Sequence, residues 1–231
     1  MYEYDVDKSC IEIFEHGFSY LPSIKKLIGQ NNILEDALEE IGSQTYSTDN
    51  SVHLKLVDLM NLEPLFESVF NKAIKDLKVN IKKSDRYYVA RKVNPGQSSE
   101  KYRAHFDSHL LTIVLPISIP IARDGLIERG ELKAVPNARK FPKYEFINIL
   151  QKVYWKKYAS EDGFSKISKK ARVLTEYFDD YRPLAFLGTT TLHGNNYVSE
   201  NAESRLTFLC HLYDPSPKYG VGALLRKVRG R

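Results

Sequence analysis

The sequence predicts an α+β architecture: a sandwich or jelly roll of short strands packed against an N-terminal helical layer. Three observations carry this. Apolar residues recur at helical spacing through positions 1–84. From Asp85 onward, short runs rich in Tyr, Val and Leu stop at Pro, Gly and Asn. Between two of those runs a basic stretch, 141–180, returns to helical spacing. On this reading the 231 residues form one domain: a helical layer over 1–84, a strand-rich core over 85–215 carrying the helical insertion 141–180, and a basic tail over 216–231.

In the helical layer, Pro22 precedes Ile24, Leu27 and Ile28 at helical spacing. Ile33 to Ile41 repeats the pattern and stops at Gly42. Asn61 is placed to cap a longer helix through Leu65, Phe66, Val69, Phe70, Ile74 and Leu77, with Pro64 in its first turn. Arg86 to Val93 reads as a strand closed by Asn94-Pro95-Gly96. Leu110 to Ile121 reads as two short buried strands, because Pro116 and Pro120 each remove a ladder donor. Gly130 to Val135 is a strand stopped by Pro136-Asn137. Leu184 to Leu192 and Arg205 to Tyr213 close the series, and the last alternates as Leu206, Phe208, Cys210 and Leu212. The insertion presents Phe146, Ile149, Leu150, Val153 and Tyr154 on one helical face, with Trp155 as its core.

Composition narrows the function. An apolar content of 42% with 27% charged residues excludes a disordered chain. Two cysteines, Cys10 and Cys210, exclude a disulfide framework and any all-cysteine metal site, and read as free thiols in a reducing compartment. No apolar run approaches the ~18–20 residues of a membrane helix, and the start, Met1-Tyr-Glu-Tyr-Asp5, is acidic, unlike a signal peptide. The expectation is a cytoplasmic protein without membrane contact. The net charge of +5 favours an anionic substrate or cosubstrate.

Six histidines are present, at 16, 53, 105, 109, 193 and 211. In a strand, residues two apart share a face, so His105 and Asp107 offer an imidazole nitrogen and a carboxylate oxygen to one point. His193, followed by Gly194-Asn195-Asn196 as a turn, is the candidate third donor. Two histidines and one carboxylate make a facial set that binds iron(II) and leaves positions open. Arg205 begins the last strand, and its planar fork of donors matches a carboxylate. Thr207, two residues on, adds a hydroxyl on the same face.

These pieces resemble the iron(II)/2-oxoglutarate-dependent dioxygenases, in the phytanoyl-CoA and prolyl hydroxylase-like branch. The matching residues are His105-x-Asp107, His193 and Arg205-x-Thr207, joined by Leu111-Thr-Ile-Val-Leu-Pro-Ile117 and Gly130-Glu-Leu-Lys-Ala-Val-Pro-Asn137. The resemblance covers roughly residues 86–215. It implies a double-stranded β-helix core, iron(II) held by His105, Asp107 and His193, and 2-oxoglutarate clamped by Arg205 and Thr207. It also implies consumption of O2, release of succinate and CO2, and hydroxylation of a substrate carbon. Tyr87, Tyr88 or Gln97 would reach the cosubstrate from the first core strand. Asn137-Ala138-Arg139 stands where that branch has Gly-Ser-His, making Asn137 and Arg139 candidate substrate contacts. Arg103 and His109 flank the metal motif at even spacing and are further candidates. Aspartate at 107, where the related halogenases have a small residue, argues for hydroxylation, desaturation or cyclisation.

The substrate reading is a small molecule such as an amino acid or biosynthetic intermediate, with a peptide or protein side chain as the alternative. Nucleic acid is disfavoured: the demethylase branch carries Arg-x5-Arg, and the residue six after Arg205 is His211. A non-enzymatic binding module on a jelly roll is a further alternative; a cupin-like metal protein would need His-x-His, and His105-Phe-Asp107 departs from it. A zinc site on His105, Asp107 and His109 would leave Arg205 without a role, and no His-Glu-x-x-His is present. Oligomeric state has no sequence signal.

Overall fold

A computed structural model of the chain describes residues 2–48, 50–96, 103–121, 128–142, 145–168 and 171–215. Gln97 and the basic tail lie outside the described residues, as does the side chain of Phe146. The elements run α1 (Val6–His16), β1 (Phe18–Tyr20), α2 (Lys25–Gln30), α3 (Ile33–Ile41), β2 (Tyr46–Thr48), α4 (Ser51–Leu59), α5 (Glu63–Lys72), β3 (Arg86–Val93) and β4 (Leu111–Ser118). They continue as β5 (Leu132–Val135), α6 (Glu145–Trp155), α7 (Glu161–Ser168), β6 (Leu174–Glu176), β7 (Leu184–Leu187), β8 (Leu192–Asn195) and β9 (Arg205–Leu212). Among these described residues, no helix is long and apolar enough to cross a membrane.

The strands form two antiparallel sheets. A six-stranded sheet has the order β1-β7-β4-β9-β3-β2, and a three-stranded sheet the order β6-β5-β8. The period-2 alternation of a strand decides which residues meet the helices and which meet the space between sheets. On β9, Leu206, Phe208, Cys210 and Leu212 join the cluster built by the N-terminal helices. The opposite parity turns Arg205, Thr207, Leu209 and His211 to a cavity. β4 obeys the same rule: Ile113, Leu115 and Ile117 pack on the helices, whereas Val114 joins Leu132, Phe178, Leu184 and Phe186 in a second cluster. Covered on both faces, β4 is buried from Leu111 to Ile117.

Several local expectations are corrected. Leu110 to Ile121 contains one strand, β4 (Leu111–Ser118), not two, because Pro116 still pairs with Thr207 and the ladder absorbs the missing donor by a register shift before Ser118. Leu184 to Leu192 is not one strand: β7 lies in the large sheet and β8 in the small one, separated by residues 188–191. Asn61 does not cap α5. It takes a left-handed turn (φ 50°) and its carbonyl accepts the Tyr4 hydroxyl, while Leu62 occupies the cap position with no side-chain bond. The insertion ends in a strand, since β6 pairs with β5.

The apolar face expected of the insertion is not its buried one. Leu150, Val153 and Tyr154 are 52%, 67% and 56% exposed. Spacing finds a face but not what covers it. The packing contact is made instead by Trp155, edge-on to Phe106 at 5.6 Å beside buried Phe164 and Ile167. Cys10 and Cys210 are both buried free thiols.

Candidate metal centre and cavity

The site is built where the His105 segment crosses β8. Residues 105 and 193 form an isolated antiparallel bridge, each N–H donating to the other's carbonyl at 2.8 and 3.0 Å. This reciprocal pair sets the two imidazoles side by side, with ring centroids 4.6 Å apart. A Cβ on Gly194 would come within 3.0 Å of the Arg103 carbonyl and 3.1 Å of the Ala104 Cα, so the backbones approach this closely because residue 194 has no side chain. Asp107 is fixed next: its N–H donates to the Gly188 carbonyl at 3.0 Å. A Cβ on Gly188 would lie 2.8 Å from the Asp107 Cβ and 2.7 Å from the Thr112 hydroxyl.

The donor atoms of His105, Asp107 and His193 all lie within 4.8 Å of one another. The Asp107 carboxylate is 3.5 Å from each Nε2, through Oδ1 to His105 and Oδ2 to His193. The tautomers follow from the backbone. Nδ1 of His105 faces the Arg103 carbonyl at 3.1 Å, and Nδ1 of His193 faces the Thr191 carbonyl at 3.1 Å. A carbonyl can only accept, so each Nδ1 carries the proton and each Nε2 keeps its lone pair for a metal.

The charge states of Asp107 and His193 agree with that role. Burial alone would raise the Asp107 carboxyl, but His193, His105 and His211 hold it well below the usual range. Burial pushes the His193 imidazole down to about 4 against the pull of Asp107. Burial also works against His105, yet its contact with Asp107 leaves it raised. The Thr112 hydroxyl donates to Asp107 Oδ2 at 2.6 Å and accepts from His211 Nδ1 at 3.1 Å. Asp107 is thereby held on its Oδ2 side by a threonine and a histidine that sequence reasoning did not select.

These groups open into a cavity of about 600 Å³. Arg205, 2% exposed, lines it. Its Nη2 is a buried donor without a hydrogen-bond partner. Burial and then Arg91 press its pKa down to about 9, partly offset by Glu131. Thr207 and Arg91 face one another in the β3–β9 register, and both line the cavity, as does Arg103. A larger cavity, about 910 Å³, lies beside α1 and β1 and is lined by Lys8, Glu12, Arg172 and Arg182 among others. Size does not decide between them: the three-donor cluster found among the described residues opens into the smaller one.

The other sequence candidates are placed as follows. Tyr87 sits opposite His211 in the β3–β9 register, stacks on His109 with centroids 6.1 Å apart and pairs hydroxyls with Tyr46. Tyr88 turns the other way, onto the helical core. His109 lies beside His211 with centroids 5.4 Å apart, outside the donor cluster. Asn137 makes a left-handed turn (φ 49°), and its side-chain oxygen accepts the Thr190 hydroxyl at 3.2 Å. Arg139 is buried, donates from Nε to the Thr189 carbonyl at 2.7 Å and lies 4.0 Å over the Phe106 ring. Asn137 and Arg139 thus buttress the loop behind the metal motif.

Two placements correct the sequence reading. Residues 105–107 are not a regular strand, only a single bridge followed by irregular chain. His193 sits inside β8 together with Gly194 and Asn195, not before a turn. Asn196 is buried, and its side-chain amide donates to Glu131 Oε1. The residues missed, Arg91, Thr112, Gly188 and His211, follow from register. His211 shares strand parity with Arg205, a signal present in the sequence. Arg91 needs the β3–β9 pairing, which the sequence does not announce.

Neither a family model nor a curated protein matches the chain. Solved structures do. A prolyl 4-hydroxylase from Pseudomonas putida matches with a TM-score of 0.55 at 11% identity, over 92% of this chain and 96% of that one. A prolyl hydroxylase from Trichoplax adhaerens, solved with a hypoxia inducible factor peptide, matches with a TM-score of 0.53 at 12% identity, over 90% and 89%. The non-haem α-ketoglutarate-dependent carbocyclase SnoK from nogalamycin biosynthesis matches with a TM-score of 0.50 at 13% identity, over 95% and 89%. With two antiparallel sheets behind a helical layer and a His-Asp-His cluster between them, the chain has the fold of these prolyl hydroxylases and this carbocyclase.

Proposed function

We propose that the chain is an iron(II)/2-oxoglutarate-dependent dioxygenase that hydroxylates an unactivated C–H bond of a small molecule. On this reading its two sheets form a double-stranded β-helix within one domain. The observation that carries the proposal is the pairing, in one cavity, of the His105–Asp107–His193 donor set with the buried Arg205 guanidinium, whose Nη2 lacks a partner. A buried guanidinium nitrogen without a hydrogen-bond partner is costly unless a ligand completes it, and a dicarboxylate reaching from the donor set to Arg205 does so. The fit to iron(II) rests on the donor chemistry: two neutral imidazoles and one charged carboxylate on one side of an ion leave room for other ligands.

Bound iron would supply oxygen activation coupled to decarboxylation of 2-oxoglutarate, giving succinate and CO2. The chain's own residues bind and orient. His105 and His193 keep Nε2 bare because their Nδ1 protons are committed to backbone carbonyls. Thr112 and His211 hold one oxygen of Asp107, which fixes the carboxylate plane. Arg205 and Thr207 receive the far carboxylate of the cosubstrate. Val114, Leu132, Phe186 and Leu209 give the cavity an apolar wall that limits water.

A second reading, hydroxylation of a peptide side chain, draws support from the prolyl hydroxylases among the fold neighbours, one of them solved with a peptide. The test common to both is succinate formation from 2-oxoglutarate. It should require added iron(II) and O2 and should vanish in His105→Ala. Metal-independent turnover, or turnover unchanged in that variant, would defeat the proposal.

A further inference from the structure

The segment that carries His105 and Asp107 is gripped from behind by the helical insertion. It belongs to no regular strand, and the His105 side chain is half-exposed. While the side chains of His105 and Asp107 converge on one point, Phe106 between them is buried in the cluster on the other side. There Trp155 of α6 meets its ring edge-on at 5.6 Å, and the Arg139 guanidinium lies 4.0 Å over it. Phe164 and Ile167 of α7 complete the packing. Arg139 is itself tied to the insertion, because its Nη1 donates to Gln151 Oε1 on α6 at 3.3 Å. A backbone bond adds to the grip: the Ala104 N–H donates to the Ala159 carbonyl, in the turn between α6 and α7, at 2.8 Å. The residues on both sides of His105 are thus fastened to the insertion, one through its backbone and one through its ring.

We propose that Trp155 is a positioning residue for the metal centre: through Phe106 it couples the docking of the insertion to occupation of the His105–Asp107–His193 donor set. This rests on the metal-binding part of the oxygenase reading and goes beyond it by giving the insertion a role. Donor atoms serve a metal only when held to within about 0.5 Å by packing around them. Phe106 shares its backbone with both ligand residues of its segment, so a displacement of its ring moves both. In a close-packed cluster that ring cannot move without displacing Trp155. The coupling is reciprocal. An insertion that holds Phe106 favours metal binding, and a metal that fixes His105 and Asp107 holds Phe106 against Trp155. A Trp155 that merely covered Phe106 would contribute to stability and leave metal affinity alone.

The experiment titrates the protein with zinc(II), a redox-silent ion that takes imidazole and carboxylate donors. Zinc affinity is measured by competition with a metal-sensitive dye for the parent, Trp155→Ala and Trp155→Phe, beside melts of the metal-free proteins. Trp155→Ala should bind zinc about tenfold more weakly or worse, the range found when outer partners of metal ligands are removed. Trp155→Phe keeps a ring against Phe106 and should stay within about threefold of the parent. A second readout needs no change at residue 155. Trp155 is the single tryptophan of the chain and is half-buried. Its emission in the parent should move to shorter wavelength as zinc binds, complete at one equivalent, and should not move in His105→Ala.

Zinc affinity equal to the parent's in Trp155→Ala would overturn the proposal, however far its melting temperature had dropped. Emission that ignores bound zinc in the parent would overturn it as well, and that readout decides alone if Trp155→Ala does not melt cooperatively. Failure of the metal-binding reading looks different: the parent itself then takes up no zinc, before any variant is compared, and the proposal falls with it.

Discussion

Arg205→Met should stabilise the ligand-free protein and at the same time remove its response to 2-oxoglutarate. The reasoning starts from burial. Desolvation, with Arg91 nearby, lowers the Arg205 pKa from 12.5 to about 9. At about 1.4 kcal/mol per unit, holding the charge in the ligand-free fold costs on the order of 5 kcal/mol. That cost is present throughout the neutral range and is relieved only as pH climbs past about 9. Methionine fills similar space without charge, and replacing buried charge by a well-packed apolar side chain typically returns about 1–4 kcal/mol. At roughly 2–4 °C per kcal/mol for a chain of this size, the ligand-free Tm should rise by several degrees. In exchange, the far carboxylate of 2-oxoglutarate loses a charge-assisted pair worth about 2–5 kcal/mol, so its Kd should rise by roughly thirtyfold to several thousandfold. Calorimetric melts of both proteins, with and without 2-oxoglutarate in the presence of nickel(II), read both effects. A variant that melts lower than the parent and is still stabilised by 2-oxoglutarate would refute the reasoning.

Other expectations follow from the same geometry. Thr112→Val deletes the hydroxyl that donates to Asp107 at 2.6 Å; metal affinity should fall about 10–100-fold while the melting curve stays cooperative, as measured by competition with a metal-sensitive dye. Gly188→Ala places a methyl 2.7 Å from the Thr112 hydroxyl and 2.8 Å from the Asp107 Cβ; a cost of about 1–3 kcal/mol in denaturant melts is expected, with weaker metal binding. His53 is buried, stacked on Phe208 at 4.6 Å, with its pKa lowered from 6.5 to about 3, first by burial and then by His211. Its folded-state value is depressed, so the unfolded chain takes up the proton first, and stability is lost as pH falls from about 6.5 toward 3. At pH ~5 this group alone costs about 2 kcal/mol; a His53→Leu protein whose acid sensitivity matched the parent's would count against it.

Much of this site was legible because strand parity is a strong local rule. Alternation of Leu206, Phe208, Cys210 and Leu212 left Arg205 and Thr207 on the other face, and both line the cavity. The same rule extends to His211, which the sequence reading did not select and whose partner Thr112 lies on a different strand. Long-range pairing was harder to see. Nothing in Arg86 to Val93 by itself says that Arg91 will face Thr207, because register is set by how whole strands fit. Pro116 misled for a related reason: one absent donor weighs little in a strand covered on both faces, where a bulge absorbs it. His105 and Asp107 converge as expected, but a reciprocal backbone bridge to His193, together with Gly188 and Gly194, does the positioning instead of a regular strand. The face of α6 was visible as spacing, but its exposure depends on neighbours that spacing does not encode.

The most direct measurement is equilibrium dialysis of the protein and its His193→Ala variant against iron(II) under argon, with 2-oxoglutarate present. One ion retained per parent chain, and none by the variant, is the outcome expected if imidazoles from two distant segments share a single metal. Equal iron in the two proteins would contradict that claim.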